Sequence, residues 1–140
     1  MIKKKKKRKT GLNSKAKKKQ AVARAVVRKG NGKVKINKRK LQLFEPQHLR
    51  EFIEEPLEIV PEIAKQVDIE VQVKGGGFMG QAAAARSAIA KSLVLYSKDN
   101  KVRQALLSYD RLLLVDDVRR VESKKPLGTK ARKKKQKSKR

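Results

Sequence analysis

Positive charge is stacked at the two ends of this chain, and that limits which part of it can fold. Residues 1–44 carry 19 Lys and Arg and no Asp or Glu. Residues 45–123 carry 11 basic and 13 acidic side chains, and residues 124–140 carry 10 basic and none acidic. The net charge of +27 therefore belongs to the ends. Like charges in a block repel one another and bury no apolar surface. The pattern predicts a basic N-terminal arm at 1–19, a folded body at 20–122 and a basic C-terminal tail at 123–140, both arms disordered until a polyanion orders them. Histone-like tails, nuclear-import signals and polybasic membrane anchors share the composition of one short Lys run. Two long arms on one small body point further, because together they neutralise many phosphates and release many counterions.

Other classes drop out on simple grounds. No run approaches the roughly 18 apolar residues of a membrane span. "MIKKKKKRK" leads into "TGLNSKAKKK" rather than into a hydrophobic signal core, so the expected location is cytoplasmic. With no cysteine there is no disulfide, thiolate zinc site or Cys nucleophile, and the single histidine, His48, has no ligand partner of its kind. Glu51, Glu54, Glu55, Glu58 and Glu62 read as solvated helix faces and helix-start charges, since no nucleophile or metal partner stands near them. No enzyme, cofactor, metal or small-molecule substrate is expected.

The body reads as α+β. In "AVARAVVR" Ala21, Ala23, Ala25 and Val27 share one face and Arg24 and Arg28 the other. "KVKIN" alternates Lys33 and Lys35 with Val34 and Ile36, and Gly30-Asn31-Gly32 between the two segments is a hairpin signal. Pro46, Pro56 and Pro61 suit the first turns of short helices and break longer ones. "VDIEVQV" alternates strictly, with Val67, Ile69, Val71 and Val73 toward a core. After the glycines, Ala82, Ala85, Ile89, Leu93 and Tyr96 line one side of a helix of about five turns. Val102, Ala105, Leu106 and Tyr109 mark a shorter one, and "RLLLVDDVRRV" is apolar enough to return as a last strand.

Between strand and long helix lies "KGGGFMGQ", with the spacing G-x-G-x-x-G. A dinucleotide site needs a second parallel strand after the helix, ending near an acid that holds the ribose. Asp99 stands at about the right distance, yet "SKDNK" is a break between helices. That leaves two readings: a backbone-amide nest at a helix N-terminus, which favours an RNA or DNA phosphate, or a glycine turn that lets the helix pack on the strand.

Four separated blocks, "KKKQAVARAVVRKGNGKVKIN", "VDIEVQVKGGGFMGQAAAARSAIAKSL", "YDRLLLVDDVRRVE" and the terminal "QKSKR", together resemble the family of the ninth small-subunit ribosomal protein over nearly the whole chain. "GGGFMGQAAAAR" and "YDRLLLVDDVRR" are closer to its archaeal and eukaryotic branch. The resemblance implies a small mixed sheet packed against helices, like the second domain of the fifth small-subunit protein, with a left-handed strand-helix-strand crossover. It implies a position in the head of the small subunit among ribosomal RNA and neighbouring head proteins, and a tail threaded to the peptidyl-site tRNA. The tRNA contact maps onto Ser138, Lys139 and Arg140. Lys139 stands where the archaeal branch commonly has an aromatic residue, which leaves charge and hydrogen bonding rather than stacking.

Physical reach agrees with that role. The 17 residues from Lys124 span up to about 55 Å when extended, several times the roughly 13 Å radius of a domain of about 100 residues. The expected ribosomal RNA contacts are Lys17, Lys18, Lys19, Arg24, Arg28, Lys33, Lys35, the loop residues Gly75, Gly76, Gly77, Gly80 and Gln81, then Arg86, Arg111, Arg119 and Arg120, and in the tail Lys124, Lys125, Lys130, Arg132, Lys133 and Lys134. Such contacts position without reading sequence. A DNA-compacting protein would use similar arms, but these lack the Ala/Pro/Ser spacing of chromatin tails, and no helix-turn-helix is legible.

Overall fold

The alternating segment at 67–73 forms the central strand of the molecule. A computed structural model describes residues 11–132. In chain order they form β1 (Leu12–Lys18), β2 (Ala21–Lys29), β3 (Val34–Ile36), β4 (Arg39–Lys40), α1 (Gln47–Ile59), α2 (Pro61–Ala64), β5 (Val67–Lys74), α3 (Phe78–Ser97) and α4 (Asn100–Tyr109). The five-stranded sheet has the order β1-β2-β5-β3-β4. All its pairs are antiparallel except β3 with β5, which are parallel and joined by a crossover through α1 and α2. The fold is α+β, a mixed sheet packed against helices.

Three expectations about the sheet need correction. First, β2 and β3 do not form a hairpin across Gly30-Asn31-Gly32, because β5 lies between them. The inward residues of β5 are all apolar and all buried, and its backbone groups are bonded on both edges, to β2 and to β3. The Gly30–Lys33 loop instead wraps the start of β5: the Asn31 and Lys33 amides both donate to the Asp68 carboxylate at 2.9 Å. Those bonds, Lys33 first, hold the Asp68 carboxyl below its ordinary pKa. A Cβ on Gly30 would sit 2.1 Å from that carboxylate carbon, so a side chain there would push the carboxylate off those amides.

Second, β1 lies inside the stretch expected to be an arm. Its Lys residues alternate with Ser14 and Ala16, which are buried, and each residue of β1 pairs with β2. Period-two burial outweighs the charge count here. Residues 1–10, the rest of that arm, lie outside the described part. Third, "RLLLVDDVRRV" adds no strand. It begins as a 3-10 turn, Arg111–Leu113, and then meets the free edge of β1 through a single bridge between Lys18 and Asp117.

The core lies between one face of the sheet and the helices. Ala21, Ala23 and Ala25 of β2 are fully buried, as are Ala82, Ala84, Ala85 and Ala88 of α3 to within one percent. Small residues on both sides let α3 lie close to the sheet. α3 also carries α1 and α4 on its outer side, so Ala90 and Ser92 are buried as well, and the one-sided stripe expected for it is in fact burial nearly all round. On α4 the apolar side narrows to Val102 and Leu106, leaving Ala105 and Tyr109 exposed. Pro56 lies within the last turns of α1, where its ring is buried. α1 thus runs through a proline expected to end it, while Pro46 caps α1 and Pro61 opens α2 as expected.

Candidate nucleic-acid interface

The glycines of the loop divide by function. Gly75 and Gly76 have φ of 77° and 68°, the left-handed region that disfavours side chains. Added Cβ atoms there would stand 2.8 Å from the Gln20 carbonyl oxygen and 3.0 Å from the Ala21 amide nitrogen. These two make the turn and let the loop lie against the β1–β2 hairpin. Gly77 differs: it is the N-cap of α3 with φ −91°, and a Cβ on it would meet nothing within 4 Å. Neither backbone nor packing requires glycine there. It opens onto a cleft of about 830 Å³ where Lys17, Lys18, Lys19, Arg119 and Arg120 border Asp117 and an apolar floor that includes Met79 and Leu112. Phe78, the first residue of α3, is 69% exposed beside it. The orphan amides of a helix start and an open backbone, with Lys19 and Arg120 nearby, favour an anion. Gln81 serves the loop itself, its side-chain amide donating to the Gly75 carbonyl at 3.3 Å.

Arg86, one of the expected RNA contacts, lines the same cleft, but its charge is already engaged. Only 8% exposed, it pairs with Glu55 on α1 and with Asp110 after α4, the latter at 2.8 Å, and its guanidinium lies 4.4 Å from the centre of the Phe52 ring. Two carboxylates already use its charge. It ties α1, α3 and the end of α4 together, and Glu55 is a partner in that knot rather than a solvated acid.

Several other expected cations are also engaged internally. Asp117 receives Lys18 at 2.7 Å and Arg119 at 2.8 Å, and the Arg119 contacts above all hold its carboxyl far below the ordinary value. The same partner raises Arg119 above its own. Arg120 donates to the Lys19 carbonyl at 2.9 Å. Asp116 accepts from the Lys17 amide at 3.2 Å and from Lys91 at 2.6 Å, and Lys91 also donates to the Lys15 carbonyl. The segment at 115–121 is thereby laced to the edge of β1. Arg111 is exposed in the 3-10 turn.

Arg24, Arg28 and Lys35 fall together on the sheet face opposite the helices, and Lys33 sits at its rim. The structure adds cations that sequence reasoning passed over. Lys15 and Lys74 share that face by register. Lys38, Arg39 and Lys40 are exposed on a two-residue hairpin whose Asn37 and Lys38 have φ of 46° and 69°. The Asn-Lys pair between "KI" and "RK" was the available signal, since Asn tolerates that conformation. In the tail Lys124, Lys125 and Lys130 are exposed, while Arg132 turns back to Glu122 at 2.6 Å. This surface pair lowers the Glu122 pKa. Lys133, Lys134, Ser138, Lys139 and Arg140 lie outside the described residues.

Comparison with known proteins covers nearly all of this surface. The family described as ribosomal protein S9/S16 matches residues 16–140. Proteins named small ribosomal subunit protein uS9 in Picrophilus torridus and Thermoplasma volcanium are each 48% identical to the chain over 122 residues, which is 87% of this chain and 92% of theirs.

Proposed function

Because the chain belongs to the ribosomal protein S9/S16 family, and is by that membership a small-subunit ribosomal protein and not an enzyme, we propose that it binds ribosomal RNA through its body and arms and carries a tail to the peptidyl-site tRNA. The observation that carries the RNA reading is the cleft at Gly77, where an open helix start meets Lys19 and Arg120. A phosphate there replaces water on amides that the helix cannot satisfy itself. The exposed Phe78 ring offers a flat apolar surface to a neighbouring base. The Lys-rich ends add sequence-independent contacts that fasten the protein to folded RNA. Ser138, Lys139 and Arg140 are the tRNA-contacting tip in this reading, and neighbouring head proteins are its further partners.

Sedimentation with the small subunit across a salt gradient tests the proposal. The protein is expected to remain with the subunit at physiological salt and to prefer structured ribosomal RNA over duplex DNA of equal length. Equal affinity for both nucleic acids with no retention on the subunit would favour a DNA-compacting role and overturn it.

A further inference from the structure

We propose that the uncovered face of the sheet is a platform for the backbone of double-helical RNA. The inference rests on the RNA-binding reading above and assigns it a second surface and a class of RNA. α3 packs on β1, β2 and β5 from one side only, and no described element covers the other. By register, Lys15 stands beside Arg24, Lys17 and Lys74 flank Val22, and Arg28 and Lys35 extend the same face. Strands lie about 4.8 Å apart and same-face residues about 6.6 Å apart, so the cations cover a patch roughly 14 Å across and about 20 Å along β2.

Pairing separates this patch from the rest of the molecule. Lys18, Arg86, Lys91 and Arg119 on the helix side all hold carboxylates. Among the described residues, none of these open-face cations does, nor does Lys40, which shares the face opposite Lys35. Of the two acids on that face, Asp68 is occupied by the Asn31 and Lys33 amides, which leaves Glu70 opposite Lys35. Unpaired cations in rows on one face of the sheet retain their attraction for a polyanion.

The face also lacks aromatic rings: its remaining residues are Asn13, Val22, Val26 and Gln72. Unpaired bases are held by stacking on aromatic side chains, which this surface does not offer. A duplex shows proteins its phosphates and 2′-hydroxyls and is recognised by shape. A flat cationic patch without rings suits the duplex.

The test uses the full-length protein, a 16-base-pair RNA duplex and a 16-nucleotide oligo(U). Arg24→Gln/Arg28→Gln keeps much of the side-chain stems and removes two platform charges; Lys101→Gln/Arg103→Gln removes two exposed charges from α4. The platform variant is expected to bind the duplex about tenfold more weakly at 0.15 M salt, with a salt slope smaller by about two. The α4 variant is expected to stay within about twofold, and oligo(U) binding by both to change little. Equal losses in the two variants, or a larger loss on oligo(U), would overturn the platform. If the unmodified protein bound neither RNA above a neutral control protein, the RNA reading itself would fall. Thermal unfolding of each variant establishes that it is folded.

Discussion

A single methyl group separates the two roles of the glycine loop. At Gly75 an alanine would have to adopt a left-handed backbone and press on the Gln20 carbonyl, and the handedness term alone costs about 1–2 kcal/mol. Gly77→Ala meets open space in an ordinary conformation. Gly75→Ala is therefore expected to lower the unfolding midpoint by several degrees, and Gly77→Ala by about one degree or less. Gly77→Asp is expected to fold equally well but to weaken RNA binding severalfold, because it sets a carboxylate where the phosphate would lie. Calorimetry and filter binding on the three variants check this; a Gly77→Asp protein that binds RNA normally would leave the loop as a turn alone. Arg86 makes the converse point. On the sequence it is one more cation of an RNA-binding chain, and only the approach of Glu55 and Asp110, 31 and 24 positions away, turns it into a structural ion.

At the scale of elements, the segment at 115–121 is the one whose reading changed most. Its apolar residues suggest a strand, yet Val118 and Val121 are exposed, and side chains rather than a backbone ladder hold the segment to β1. Asp117 is the centre of that attachment. Its pKa is depressed in the folded protein, so its contribution is present above the ordinary carboxylate value of 3.8 and is lost as pH falls below it. Hydrogen exchange at the Lys17 and Lys18 amides is expected to stay slow at pH 7 and to accelerate, beyond its intrinsic pH dependence, below about pH 4. Asp117→Asn is expected to reproduce the loosening at neutral pH. Identical protection in the variant and the unmodified protein would mean that the Asp116 contacts suffice.

The whole molecule has a charge polarity that no single segment shows. The open sheet face carries unpaired cations, while α1 on the helix side exposes Glu51 and Glu58, so a polyanion is drawn to one side and repelled from the other. The tail can be separated from this body. Deleting Lys139 and Arg140 removes two of 40 basic side chains, and incorporation into the subunit is expected to survive. If those residues hold the peptidyl-site tRNA, their loss weakens its retention by about 1–3 kcal/mol at low salt and by less at high salt, because charge-assisted phosphate contacts are of that size and are screened. Rates of tRNA dissociation from subunits carrying either form, at two salt concentrations, measure this. Equal rates at both would show that the tip is a solvated end.

By itself the sequence determined what depends on near neighbours along the chain. The period-two pattern of Val67–Val73 allows only a strand with one buried face, the Ala-rich run after the glycines only a helix, and the segregation of Lys and Arg only an anionic partner. What it left open depends on which distant segments meet. Nothing local says that β5 enters between β2 and β3, because any two alternating strands can pair and a turn signal ranks only the nearest. The charge count likewise could not tell which cations are free: Lys18 and Arg119 are spent on Asp117, whereas Arg24 and Arg28 hold no carboxylate among the described residues. That distinction is one of distance between side chains, set when the sheet and helices pack, and it decides which of the basic residues are available to RNA.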